Sequence, residues 1–310
     1  MIVAVAPNPS IDKALLIPGF RLGAIHRPEQ LVAVAGGKGL NVARTIHCLG
    51  GEVRACVLLA GHSGRWIADQ LRLQGIPVEI AWADGETRTC FSVVDPQSGQ
   101  LTDVYEAGPH IDLPAWQRFE HAFEHSLDQA RWATFSGYLP DGAPLDGYAH
   151  LLRLAGEYGV RTLLDTRGEV LRLALEETPW LVKVNAAEAG EFLGGQVDSP
   201  RSAIAAAHAF VQGGAESAII TLGAEGAVAV DPSGVWVAAS PPIAALAPVG
   251  SGDAFLGGLV LELSRGMGLP GALRLALAAG AANALTLGPG VFESAQVHVL
   301  MEQVQVREYS

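Results

Sequence analysis

A chain of 310 residues that is 49% hydrophobic and only 17% charged carries enough apolar material for a large core, which excludes a disordered protein. Its 20 basic residues against 32 acidic ones give a formal net charge of −12 with no Lys/Arg run, so nucleic acid and anionic membranes are poor partners. Three cysteines, Cys48, Cys56 and Cys90, none in a CxxC pair, argue against a disulfide framework and a structural zinc site, and read as reduced, buried, small residues.

Ile2 to Ala6 is aliphatic throughout, as a buried strand is, and stops at the turn Pro7-Asn8-Pro9-Ser10-Ile11-Asp12. This start is too short for a signal peptide and lacks a basic leader, so a cytoplasmic location is expected. An irregular region reaches Pro28, then Gln30 to Val34 runs toward Gly36-Gly37-Lys38-Gly39. That turn opens a helix from Leu40 that closes at Gly50. Strand and helix signals alternate next: strand Val53 to Leu59, helix Gly64 to Gln74, strand Val78 to Trp82. The exception is Thr87 to Glu106, where Cys90 to Val94 and Leu101 to Tyr105 flank a polar turn in the pattern of a β-hairpin. With the segments near Ile11 to Ile17 and Leu31 to Val34 it predicts a small second sheet, a lid drawn from about 11–35 and 87–108 of one continuous domain.

After Pro114 the alternation resumes: a helix to about Ala130, strand Ala133 to Ser136, helix Leu145 to Tyr158, strand Arg161 to Asp165 and helix Glu169 to Glu176. Strand Trp180 to Val184, helices Ala187 to Leu193 and Ala203 to Gln212, strand Ser217 to Leu222 and a hairpin (Ala227 to Val230, Val235 to Ala238) follow. Two long helices are expected to finish the chain, the second, from Leu269 to Leu287, a core helix rather than a membrane span. Strands separated by helices predict an α/β fold: a three-layer αβα arrangement around a mainly parallel sheet, with ligands at the carboxyl ends of its strands.

Polar clusters stand directly after those strands: Asn8 and Asp12, the Gly36 to Asn41 turn, Ser136-Gly137, Asp165 to Gly168, Lys183 to Glu188, and Thr221 to Gly226. Each also has a plain reading as a turn cap, a packing contact or a solvated strand end. The stretch Val249-Gly250-Ser251-Gly252-Asp253-Ala254 runs straight into the helix Phe255 to Leu263. A helix start is an anion site, because its first N–H groups lack partners and glycine lets a phosphate approach the main chain. Asp253 in that first turn is either an ordinary cap or a general base beside a phosphate cradle.

At this point the chain resembles the ribokinase-like (PfkB) sugar kinases, nearly from end to end. Gly36-Gly37-Lys38-Gly39-Leu40-Asn41-Val42-Ala43 is similar to that family's first signature and Val249 to Ala254 to its second. Asn8 to Asp12, Thr87-Arg88-Thr89-Cys90 and Glu106 to Pro109 resemble its phosphohexose branch. The resemblance implies ATP and Mg²⁺ as cofactors and a phosphorylated ketohexose, tagatose 6-phosphate or fructose 1-phosphate, as acceptor. It assigns Asp12, Asn41 and Gly37 to the sugar, with Ser136 beside them, and Lys38, Arg88 and Arg27 to the phosphate already on the substrate. Asn185 and Glu188 would act through water on Mg²⁺, with Lys183 nearby. Thr221, Gly223 and Gly226 would border the nucleotide, and Gly280 with Asn283 would lie near adenine. Gly250, Ser251 and Gly252 would form the anion hole and Asp253 would be the base. The exposed edges and apolar face of a lid further suggest a homodimer. The chain departs from the family pattern at Ala247-Pro248, where many members have Asp-Thr beside a monovalent-cation site, and at Tyr138 in the Ser136 turn.

Two other readings stand against this one. His121-Ala122-Phe123-Glu124-His125 spells an HxxEH zinc string, but neither His follows a strand and no third ligand is evident. A sugar-phosphate binder on the same fold would need no Asp253.

Overall fold

The computed structural model describes residues 1–309. β1 (Ile2–Ala6) is followed by β2 (Ser10–Leu16), β3 (Gln30–Gly36), α1 (Lys38–Cys48), β4 (Val53–Ala60), α2 (Gly61–Leu73) and β5 (Val78–Ala83). The hairpin β6 (Thr89–Asp95) and β7 (Gln100–Tyr105) leads to α3 (Leu113–Ser126), β8 (Trp132–Ser136), α4 (Gly147–Glu157), β9 (Arg161–Asp165) and α5 (Gly168–Leu175). Then come β10 (Leu181–Asn185), α6 (Ala186–Leu193), α7 (Pro200–Gln212), β11 (Ser217–Thr221), β12 (Ala227–Asp231) and β13 (Gly234–Ala239). The chain closes with α8 (Ser251–Ser264), α9 (Leu269–Ala284), α10 (Ser294–Met301) and β14 (Gln305–Glu308).

Ten strands form one sheet in the order β14-β13-β12-β11-β10-β9-β8-β1-β4-β5. From β11 to β5 every pairing is parallel, and β12, β13 and β14 add an antiparallel edge. Side-chain alternation along β1 sorts the helices. Ile2, Ala4 and Ala6 pack with α1, α2, α8, α9 and α10, while Val3 and Val5 pack with the aromatic-rich α3, α4 and α7. Burial on both faces is what a continuous aliphatic run demands. The result is the three-layer order read from the sequence.

Local signals set the helix starts. Asp112 accepts from Ala115 N with Pro114 in the first turn of α3, and Ser199 caps α7 ahead of Pro200. α8 and α9 are apolar nearly all round, so both are sunk in the core and lie against each other. A Cβ at Gly258 would come 2.9 Å from Leu275 O, so this pair packs on bare backbone.

The expected second sheet is present, ordered β3-β2-β6-β7, with β2 parallel to β6 and the outer pairs antiparallel. The ending differs from the expected pair of helices, because α10 and β14 follow them. β14 is four residues long and largely exposed, so it carries no alternation that sequence reading can detect, and only pairing with β13 defines it. No helix among the described residues is long and apolar enough to cross a membrane.

Candidate active site

The carboxyl ends of β1, β8, β10 and β11 open on one side into a crevice of about 730 Å³, walled by the inner face of the small sheet and by the start of α8. Parallel registry lines up the polar ends: Ser136 pairs with Asp165, and Asn185 with Thr221. A crevice of this size outside the carboxyl edge of an open α/β sheet is where such folds hold ligands.

At one wall the chain turns through Gly250, whose φ of 82° puts it in the left-handed region. A Cβ there would also lie 2.5 Å from Pro289 Cβ, so glycine is required twice over. The amides of Gly250 and Gly252 donate to no group among the described residues, leaving two N–H groups at the positive end of α8. Asp253 sits in this first turn with 6% of its surface exposed. Its Oδ2 accepts from Asn41 Nδ2 at 2.9 Å. Burial raises its carboxyl to about 6, against the pull of Lys38 and the Asn41 hydrogen bond and with a push from Asp165. A carboxylate poised there can take a proton near neutral pH.

Beside it lies a charge network. Asp165, fully buried, accepts from Lys38 Nζ through Oδ1 at 2.9 Å and from Lys183 Nζ through Oδ2 at 2.6 Å. Lys38 Nζ also lies 3.6 Å from Glu188 Oε1. Burial works against the charge on Asp165, but the two ammonium groups outweigh it and hold the carboxyl down at about 2. Burial likewise opposes the charge on Lys38, and Asp165, Asp253 and Glu188 together overcome it and hold the ammonium well above the usual lysine range. Its side chain keeps 32% exposure, so this cation faces the crevice. The resemblance groups Lys38 with Arg88; both line the crevice, and the head of Lys38 lies with Asp165 and Glu188.

Arg88 is at the small sheet's end of the crevice. One Nη donates to Asn8 O at 3.2 Å, its buried Nε has no partner, and no carboxylate among the described residues pairs with it. Nearby, Asp12 accepts from Ser10 Oγ at 2.5 Å and from Gly37 N at 3.1 Å. Burial raises its carboxyl, while Ser10, Gly37, Arg44 and Arg88 resist. Gly37, with φ 91°, carries the chain into α1 where a Cβ would meet Pro9 Cα at 2.9 Å. Ser136 lines the same region with a buried hydroxyl that finds no partner. Tyr138 forms part of the wall, its ring lying 4.4 Å from the Arg167 guanidinium.

Asn185 and Glu188 form a capping box: Glu188 N donates to Asn185 Oδ1 at 2.8 Å and Asn185 N to Glu188 Oε2 at 2.9 Å. That occupies one oxygen of each and leaves Glu188 Oε1 toward Lys38 and the crevice. Among the described residues no cluster of three His, Cys, Asp or Glu side chains is assembled to hold a metal. One hard carboxylate oxygen facing the crevice suits Mg²⁺ that keeps most of its waters. Thr221, Gly223, Gly226 and Gly280 line this end together with Ala224, Phe255, Leu277, Ala281 and Ala284.

Of the residues singled out in the sequence, Arg27 and Asn283 do not line the crevice. Arg27 is exposed on the loop between β2 and β3. Asn283, expected near adenine, is fully buried behind the glycine turn. Its Nδ2 donates to Val249 O at 2.7 Å and Ser251 Oγ at 3.1 Å, and its Oδ1 accepts from Gly290 N at 2.7 Å. It fastens the turn and has no group left for a base. Residues that sequence reading passed over are Ser92 and Tyr105 on the small sheet, and the wall Ser240-Pro241-Pro242-Ile243 after β13. That wall was detectable only as a Pro-rich turn following a strand. His121 and His125 lie on α3 away from the crevice, and Glu124 is taken by Tyr158 Oη at 3.0 Å, so the HxxEH string is a helix face.

The pattern of the family described as pfkB family carbohydrate kinase matches residues 9–295. Tagatose-6-phosphate kinase of Staphylococcus epidermidis is 32% identical over 311 residues, covering 99% of this chain and all of that protein. Phosphofructokinase-2 from Escherichia coli in complex with substrates and products superposes with a TM-score of 0.89 at 27% identity, covering 97% of this chain and 98% of the other. A possible 1-phosphofructokinase from Thermotoga maritima gives 0.88 at 20% identity over the whole of both chains, a likeness of fold.

Proposed function

The chain belongs to the pfkB family of carbohydrate kinases, and we propose that it moves the γ-phosphate of ATP onto a hydroxyl of a phosphorylated ketohexose, with tagatose 6-phosphate as first candidate. The observation that carries this reading is the buried Asp253 carboxylate, held by Asn41 at the mouth of two partnerless amides, with the Lys38 ammonium in the same crevice. The 32% identity to a tagatose-6-phosphate kinase supports the choice of substrate.

In this reading the sugar lies across the floor made by Asp12, Gly37 and Asn41, its hydroxyl donating to Asp253. As the sugar oxygen attacks the γ-phosphorus, Asp253 takes its proton, the bond from phosphorus to the bridging oxygen breaks, and ADP leaves with that oxygen. The amides of Gly250 and Gly252 and the Lys38 ammonium face the oxygens of the group in flight, which matters more than covalent help in such transfers. Lys183 supports this from behind by sharing Asp165 with Lys38. Glu188 and Asn185 would hold Mg²⁺ through water, and the ion would neutralise charge on the nucleotide phosphates. Arg88, a cation with no carboxylate partner among the described residues, grips the phosphate already on the sugar, with Ser136 supplying a hydroxyl. Thr221, Gly223, Gly226 and Gly280 line the nucleotide's end.

The small sheet also suits a second copy of the chain: Leu22 and Ile25 in its loop are 92% and 94% exposed, and Val104 on β7 is exposed as well. We assign this face to a homodimer. The test of the activity is a coupled ADP-release assay over tagatose 6-phosphate, fructose 1-phosphate, fructose 6-phosphate, ribose and nucleosides. Turnover on a phosphohexose well above all others is expected. A preference for ribose or a nucleoside overturns the substrate class, and no turnover on any of them overturns the kinase reading.

A further inference from the structure

We propose that Arg44, on α1 outside both signature motifs, is a positioning residue that fixes which way the Asn41 amide faces and thereby holds the Asp253 carboxylate ready. The inference rests on Asp253 being the base, and deepens that reading.

Arg44 is 7% exposed and forms no ion pair with any carboxylate among the described residues. An always-charged group is not placed in a core without return, since desolvation is severe unless its donors are used. Burial lowers its guanidinium to about 10, offset only in part by Asp12. Its Nη groups donate to three segments, while the buried Nε has no partner among the described residues. One Nη donates to Pro289 O at 2.9 Å and to Asn41 Oδ1 at 3.2 Å, and the other to Ala35 O at the end of β3. The planar fork therefore ties the small sheet's edge, helix α1 and the loop behind the glycine turn.

The contact with Asn41 carries a chemical consequence. A carboxamide can present either its oxygen or its NH₂ to a neighbour, and only the NH₂ can stabilise an ionised Asp253. With Arg44 donating to Oδ1, the amide has one satisfactory orientation, Nδ2 toward Asp253 Oδ2 at 2.9 Å. Without the guanidinium the amide is free to rotate and set oxygen against oxygen, which favours the protonated carboxyl. The other charged groups facing Asp253, Lys38 from α1, Lys183 from β10 and Asp165 from β9, remain in place in either case. The loop side is built for the arrangement too: Gly290, with φ 68°, would bring a Cβ within 3.2 Å of the same Nη.

The decisive measurement follows the carboxyl carbon of Asp253 by carbon-13 NMR in aspartate-labelled full-length protein, the resonance being identified by its absence in Asp253→Asn. In Arg44→Met the titration midpoint is expected to move up by at least ~0.5 pH unit, and in Arg44→Lys by less, because lysine lacks the fork. With the phosphohexose that turns over, kcat at pH 5, below both midpoints, should fall about 3-fold while KM for ATP stays near its wild-type value. A residue that only supported the fold would lower Tm and leave the midpoint where it was. A wild-type midpoint in folded Arg44→Met overturns the proposal. Should that variant fail to fold, the same result in Arg44→Lys does so. If wild type turns over no sugar, the kinase reading fails by itself and the NMR titration still decides on Arg44.

Discussion

Lys183 Nζ lies 2.6 Å from Asp165 Oδ2 with 4% and 0% of their side chains exposed, and the same carboxylate holds Lys38 through its other oxygen. Two cations therefore depend on one anion. Asp165→Asn leaves a buried ammonium uncompensated and is expected to lose about 3–5 kcal/mol of stability, read by urea unfolding. Asp165→Asn combined with Lys183→Met should recover part of the loss. Wild-type stability in the single variant would show the network to be ornamental. Because the Asp165 carboxyl is held down at about 2, its contribution is complete above the ordinary aspartate range and is lost only as pH falls toward 2.

Asp253 carries the opposite sign. Its carboxyl is raised to about 6, so it is protonated below that pH and cannot accept a proton there. We expect log kcat to fall with a slope near one as pH drops through about 6. A flat profile down to pH 5 would assign the proton to another group.

Asp253→Asn keeps shape and removes basicity. A fall in kcat of at least ~100-fold with little change in ATP binding is expected, measured by steady-state kinetics and nucleotide titration. Undiminished turnover would remove Asp253 from the mechanism.

Arg88→Ala addresses the far end of the crevice. KM for the phosphorylated sugar should rise at least ~10-fold more than KM for ATP, since a charge-assisted contact to a phosphate is lost from one substrate only. Equal increases would place the effect in the fold rather than in recognition.

Ile25→Asp tests the exposed loop of the small sheet. Light scattering is expected to give a dimer for wild type and a monomer for the variant. A wild-type mass of one chain at every concentration would dispose of the dimer.

What the sequence made legible follows from physics that acts locally. Buried parallel strands are uninterrupted aliphatic runs, and in such sheets whatever polar residue comes next stands at the ligand edge, so Ser136, Asn185 and Thr221 were found by position alone. Direction of side chains is another matter. Asn283 shares a helix with Gly280, which lines the crevice, yet points behind the glycine turn. Arg27 was grouped with Arg88 by the family resemblance, though it sits on an exposed loop. Lys38 was paired with Arg88 for the same reason, and only the convergence of β9 and α6 reveals its carboxylate partners. Arg44 gave no signal, because its partners are an amide of its own helix and two backbone carbonyls, one of them Pro289 O from near the other end of the chain.

The bare-backbone seam between α8 and α9 has a consequence for how this protein can change. A Cβ at Gly258 would press on Leu275 O and one at Gly280 would lie 3.1 Å from Ser251 O, so even one added methyl shifts the glycine turn that begins α8. Added side-chain bulk is thus more restricted along this seam than at the exposed positions of the small sheet. New acceptor preferences would arise by rewriting the sheet while the phosphate end stays frozen.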